Sequence, residues 1–148
     1  MTIFEVTTNK KQYLPLLLLG DEQESMIDCY LPRGRMFAAS DGQDILAECV
    51  VTDEGNGVLE LKNIAVAPSA QRKGIGRMLI EFLCEQFRND YNVLHVGTGD
   101  SPLTIPFYES CGFTRFRVIP DFFLLHYDHP IFEGGVQLKD MICLRKFL

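Results

Sequence analysis

The stretch from Leu59 to Leu79, LELKNIAVAPSAQRKGIGRML, constrains the fold more than any other part of the chain. An apolar strand pattern runs to Ala67, Pro68 stops it, and two glycines fall within three residues. Ile75, Met78, Leu79, Phe82, Leu83 and Phe87 then recur at helical spacing. A strand, a tight loop and an amphipathic helix in this order require a sheet on which the helix can bury its apolar stripe. Within the strand the apolar phase changes, because Leu59 and Leu61 share one parity and Ile64 and Val66 the other. A regular strand cannot turn both sets to one face. Either both faces are covered, or an extra residue near Lys62-Asn63 forms a bulge. A bulge leaves backbone N–H and C=O groups unpaired, open to an extended ligand lying along the strand.

The remaining chain supplies partners for this unit. Thr2 to Thr7 reads as a strand, and Lys10 to Gly20 and Glu22 to Tyr30 read as helical. GRMFAAS and DILAECVVTDE read as strands joined at Asp41-Gly42, a hairpin signal. YNVLHVGT is a further strand, a short helix carries Tyr108, and QLKDMICLRKFL closes the chain as the last strand. The chain has 148 residues, is 47% hydrophobic and contains no repeat or Pro/Gly/Ser linker. It is therefore expected to form a single domain over residues 1–148, of α/β class with a mixed sheet.

Composition narrows the partners. The net charge of −6 opposes nonspecific nucleic-acid binding and favours a cationic substrate. The apolar run Leu14 to Gly20 falls far short of the roughly 20 residues that span a bilayer and follows no basic leader, so no membrane partner is expected. Five cysteines without CxxC spacing fit a reducing, cytoplasmic setting. His126 and His129 lack the further ligands that would complete a metal site, and no metal is expected.

The glycine loop has two readings. Gly74-Ile75-Gly76 departs from the dinucleotide fingerprint, since Leu79 stands where a third glycine belongs, and no Gly-Lys-Ser/Thr is present. The glycines either make a tight turn beside solvated cations, or let backbone N–H groups meet an anion. In the second case the helix N-terminus adds about half a positive charge, and Arg72, Lys73 and Arg77 add full ones.

NIAVAPSAQRKGIGRMLI resembles the acetyl-CoA-binding segment of the GNAT superfamily of N-acetyltransferases, whose pattern is an apolar strand, a proline, then Q/R-x-x-G-x-G/A. FYESCGF, Phe107 to Phe113, resembles the later helix and turn of that family. The resemblance implies a GNAT-like acyl-CoA N-acyltransferase fold, with a central splayed mixed β-sheet flanked by helices. It implies that Gln71 and the backbone amides of Arg72, Lys73, Gly74, Ile75, Gly76 and Arg77 hold the pyrophosphate of coenzyme A. The main chain of Ile64, Ala65 and Val66 would pair with the pantetheine arm, and Ser101 stands in for an asparagine common among relatives on the cofactor side. Tyr108 falls where relatives place a general acid for the departing thiolate, and Glu60 where some present a general base. The implied reaction is direct transfer from acetyl-CoA, the co-substrate, to a primary amine of a small molecule or peptide. A non-catalytic module that senses acyl-CoA is the alternative. Cys111, beside the turn, has no histidine near it in sequence and reads as an ordinary buried thiol.

Two segments depart from the family pattern. Pro106 removes a backbone donor just before Tyr108 and is expected to kink or delay that helix. The long segment from Pro120 to Gly135, PDFFLLHYDHPIFEGG, combines aromatics with Asp121, Asp128 and two histidines. It reads either as an acceptor pocket for a cationic amine or as a surface packed on the sheet or on a second copy in a homodimer. Asp140 is either a pocket carboxylate or an edge-strand charge. His95 reads as a strand residue.

Overall fold

The computed structural model describes every residue from Met1 to Leu148. In chain order the elements are β1 (Thr2–Val6), a 3-10 turn (Lys10–Tyr13), α1 (Leu14–Gly20), α2 (Glu24–Ile27), β2 (Arg35–Ser40), β3 (Ile45–Gly55) and β4 (Val58–Val66). They continue with α3 (Ile75–Phe87), β5 (Val93–Gly99), α4 (Ile105–Ser110), β6 (Thr114–Ile119), α5 (Phe122–His126), β7 (Phe132–Glu133), β8 (Val136–Gln137) and β9 (Met141–Phe147). The hairpin between β2 and β3 is set by Asp41, whose Oδ1 accepts from the N–H groups of Gln43 (2.9 Å) and Asp44 (2.8 Å). This is the local bonding that makes aspartate a turn residue.

Seven strands form one sheet in the order β1-β2-β3-β4-β5-β9-β6. Every neighbouring pair is antiparallel except β4 and β5, which α3 connects in parallel. That pairing is short: Val58 to Leu61 face Val93 to Val96. Beyond it β4 keeps its bonds to β3 as far as Val66, while β5 keeps its bonds to β9 as far as Gly99. The two central strands therefore part, and the sheet opens between them.

The phase change in β4 is a bulge. Val50 faces Asn63 while Val51 faces Leu61, so Lys62 is an extra residue with no partner on β3. The slip returns Ile64 and Val66 to the apolar layer that already holds Leu59 and Leu61. In that layer the stripe of α3 (Ile75, Leu79, Ile80, Leu83 and Phe87) packs with Tyr108 and Phe113. On the other face of the sheet, Leu17, Ile27, Tyr30 and Leu31 cover Met36, Ala38 and Val50.

Pro106 delays its helix and does not kink it. The chain turns through Pro102 to Thr104, with Ser101 Oγ accepting from Leu103 N–H at 3.1 Å, and α4 begins at Ile105 with the proline in its first turn. There the missing donor costs nothing, because first-turn N–H groups have no helical acceptor. The Pro120 to Gly135 segment contains α5 and the β7 strand of a small β7-β8 hairpin, where a loop is expected from sequence. Gln137 belongs to that hairpin, so the last strand begins at Met141. Asp140 takes neither role offered by its sequence position: its Oδ1 accepts from Asp121 N–H at 2.9 Å, at the start of α5. No helix is long and apolar enough to cross a membrane.

Glu48 is an exception inside the core. It lies on β3 between Ala38 and Ala65, is 0% exposed, and neither carboxyl oxygen has a hydrogen-bond partner. Burial pushes its pKa well above the ordinary value near 4.5. A carboxyl whose folded-state pKa is raised contributes most below its unfolded value and loses that contribution as pH rises toward the folded one. Glu48→Gln should match the wild type in thermal denaturation near pH 4 and melt higher at pH 7. The expected gain is on the order of 4 °C per kcal/mol recovered. A difference independent of pH would show that charge is not what Glu48 costs the fold.

Candidate active site

Where β4 and β5 part, the protein encloses a cleft of about 330 Å³. Glu60 to Ile64 form one wall, Val96 to Gly99 the other, and Tyr108 of α4 also lines it. At the end of β4, the chain passes through a 3-10 turn (Pro68–Ala70) into the glycine loop. Gln71 folds back, its Nε2 donating to Val66 O at 3.0 Å, so this side chain braces the strand end.

Gly74 has φ +82° and opens α3 from the left-handed region, with nothing within 4 Å of where a Cβ would stand. The first helical bond runs from Met78 N–H to Gly74 O at 3.0 Å, which leaves the preceding N–H groups at the positive end of a 13-residue helix. Gly76 meets a different demand: a Cβ there would lie 3.1 Å from Phe107 Cζ. The absence of a side chain lets α3 and α4 close on each other. Of the three cations in the loop, Arg72 and Lys73 are free of ion pairs, whereas Arg77 donates to Ser110 O (3.0 Å) and Ser110 Oγ (2.9 Å) and ties the loop to α4.

Tyr108 is 7% exposed and packs edge-on against Phe107 and Phe113. Burial raises its pKa above the usual phenol value, and the nearby Glu133 carboxyl pushes the same way. The phenol is therefore protonated at neutral pH, able to give a proton and reluctant to lose one. Glu60 lies on β4 in the row that faces His95 of β5 and is ion-paired with Lys62, the bulged residue. Glu60 and Tyr108 thus line the same cleft from different elements. Ile64 also lines the cleft; Ala65 and Val66 continue the same edge of β4 toward the loop. Ser101 is buried at the head of the α4 turn, and Glu133 lies near enough for the Ser101 hydroxyl to lower its pKa against a larger rise from burial.

The far end of the cleft uses residues that sequence reasoning missed. Asp21, just after α1, accepts from Tyr127 OH (2.6 Å) and from Tyr30 OH (3.0 Å). Asn63, next to the bulge, donates through Nδ2 to Leu17 O (2.9 Å) and Tyr30 OH (3.1 Å). Burial raises the Asp21 pKa, and the two phenol donors offset part of that rise. From the Pro120 to Gly135 segment, Phe122, Phe123, Tyr127 and Glu133 line the cleft, whereas Asp121, Asp128 and both histidines do not. The available signals were weak: a carboxylate directly after an apolar helix for Asp21, and one directly before Gly134-Gly135 for Glu133.

A mixed sheet that parts at one parallel pair, with free helical N–H groups at the open end, defines a site for an extended anionic ligand meeting a second substrate. The Acetyltransferase (GNAT) domain matches residues 32–115. The uncharacterised N-acetyltransferase YvbK of Bacillus subtilis is 37% identical over 93% of this chain and 89% of its own length. A GNAT family acetyltransferase from Elizabethkingia anophelis, solved with acetyl-CoA bound, superposes with a TM-score of 0.94 at 34% identity, covering 99% of this chain and 97% of that one. A Bacillus subtilis acetyltransferase in complex with CoA superposes with a TM-score of 0.90 at 34% identity over the same shares. The chain belongs to the GNAT acetyltransferase family.

Proposed function

We propose that the chain transfers an acetyl group from acetyl-CoA directly to a primary amine of a small molecule or peptide, with Glu60 as general base and Tyr108 as general acid. The observation that carries this reading is the parting of β4 from β5 at the Lys62 bulge, opening onto the N–H groups ahead of Met78. The residues present fit the donor: open space at Gly74 and unpaired N–H groups suit a pyrophosphate, and relatives of similar sequence have been solved with acetyl-CoA and CoA. Arg72, Lys73, Gly74, Ile75, Gly76 and the backbone of Arg77 would hold the pyrophosphate. Ile64 to Val66 would pair with the pantetheine arm. Gln71 would contribute by bracing the strand end, and Ser101 by shaping the turn beside the cleft. Acetyl-CoA supplies an activated acyl group on a thiol leaving group.

The protein's own part is to manage two protons. An alkyl amine with a pKa near 10 must lose a proton before it can attack, at a cost of about 4 to 5 kcal/mol at pH 7. Glu60 presents a carboxylate to the cleft for that proton, and its pairing with Lys62 holds it in place. Tyr108, the phenol that lines the cleft from α4, would supply the proton that a departing thiolate requires. Its raised pKa makes the transfer more uphill than for a free phenol, so its benefit comes from position.

Three outcomes are expected. Gly74→Asp places a side chain and a negative charge against the pyrophosphate and should weaken coenzyme A binding, measured by calorimetry, by more than about tenfold (about 1.4 kcal/mol). Unchanged affinity would remove the loop from the donor site. Glu60→Gln should lower turnover most near neutral pH and regain part of the loss at high pH, where the amine deprotonates unaided; a loss equal at all pH values would assign Glu60 a structural role. Tyr108→Phe should reduce turnover by about 10² with coenzyme A affinity preserved, and full turnover in that variant would take Tyr108 out of the chemistry.

A further inference from the structure

The sheet face opposite α3 is covered by α1 and α2 over β1 to β4. On β5, β9 and β6 that face stays open, with Arg117 and Phe147 exposed and His95, Phe116, Cys143 and Arg145 half-buried. Its rows are continuous with the cleft. Glu60 faces His95, which faces Arg145; one row further on, Cys143 faces Arg117.

A second bulge shapes this face. Arg115 pairs with Leu144 and Arg117 with Cys143, so Phe116 is an extra residue in β6. Bulges re-aim side chains, and here two consecutive residues serve one face. The Phe116 ring lies 4.6 Å from the His95 ring and 4.8 Å from the Arg145 guanidinium, while Arg117 faces Cys143. Arg145 is also 5.1 Å from the Phe147 ring. Aromatic contact on two sides holds this guanidinium without neutralising it. Neither Arg117 nor Arg145 has a carboxylate within 4.0 Å, although acidic residues outnumber basic ones in the chain, 20 to 14. The carboxylate of Glu60, at the head of the row, is already paired with Lys62.

We propose that the acceptor is an amine that also carries an anionic group, a carboxylate or phosphate, and that Arg117 and Arg145 hold that group on the open face while the amine meets Glu60. The proposal rests on the N-acetyltransferase reading. Strands stand about 4.8 Å apart, so Arg145, two strands from Glu60, sets an amine-to-anion span on the order of 10 Å. The planar fork of arginine suits both carboxylate and phosphate. Phe116 gives the carbon spacer an apolar surface between the two ends.

Three amines of equal length separate the cases: octylamine, 8-aminooctanoate and 1,8-diaminooctane, each measured for turnover and for calorimetric binding to protein saturated with coenzyme A. 8-Aminooctanoate should bind at least about tenfold tighter than octylamine, the diamine no tighter than octylamine, and the preference should shrink with added salt. In the Arg117→Gln/Arg145→Gln variant the ratio should fall to within about twofold, with octylamine turnover unchanged; Lys at both positions should restore part of it. Equal binding of the three amines, or preference for the diamine, overturns the proposal. So does a wild-type dimer that the double variant dissociates, because the face would then belong to a second copy. Arginine-dependent binding of 8-aminooctanoate without acetylation of any amine supports the anion site and refutes the acetyl-transfer reading. Acetylation of all three without preference does the reverse.

Discussion

One unpaired residue in β4 sets the geometry on which the site depends. By inserting Lys62 opposite no partner, the chain turns Ile64 and Val66 back to the layer beneath α3 and places Asn63 on the other face, where it bonds Leu17 O and Tyr30 OH. The same slip coincides with the end of the parallel pairing at Leu61 and Val96. Beyond that point each central strand is satisfied by its outer neighbour, so the gap between them opens without orphaning the sheet as a whole. A regular strand would have put Ile64 and Val66 in the wrong layer and left α1 without its tether.

The cleft is then closed by pieces far apart in the chain. Asp21 and Tyr127 are 106 residues apart and meet at 2.6 Å, and Gln23 Oε1 accepts from Asp128 N–H at 2.8 Å. The two loops meet across the cleft mouth. The distribution of charge is equally local. The net charge of −6 bears on long-range steering, which salt screens over about 10 Å. What a ligand meets inside that distance is decided by individual groups: Asp21 capped by two phenols at one end, two uncompensated arginines on the neighbouring face.

Features encoded by near neighbours in sequence were legible. The Asp41 turn, the helix stripe from Ile75 to Phe87, the glycine loop and the split parity of β4 each depend on residues a few positions apart, and each has a physical signature at that range. Pro106 signals a disturbance in the sequence, but its outcome depends on where the helix starts, which Ser101 and Thr104 decide through bonds to Leu103 and Thr98. The Asp21 cluster left only the weak trace of a carboxylate after an apolar helix, since its members share a site only after the sheet forms. The β6 bulge was also silent: TRFRVI reads as an ordinary strand, and Phe116 is extra only with respect to β9. In the long segment before β9, polar and aromatic residues looked like one loop because α5 and the β7-β8 hairpin are each too short to show a period.

The close approach of Gly76 to Phe107, together with the Arg77 bonds to Ser110, makes the start of α3 and the helix bearing Tyr108 a single mechanical piece. Two motifs more than thirty positions apart in sequence therefore share one tolerance. A side chain at 76 would press on the Phe107 ring and make it give way, and loss of the arginine at 77 would leave Ser110 without the donor that ties it to the loop. A change at either motif is therefore felt at the other, although the chain writes them separately.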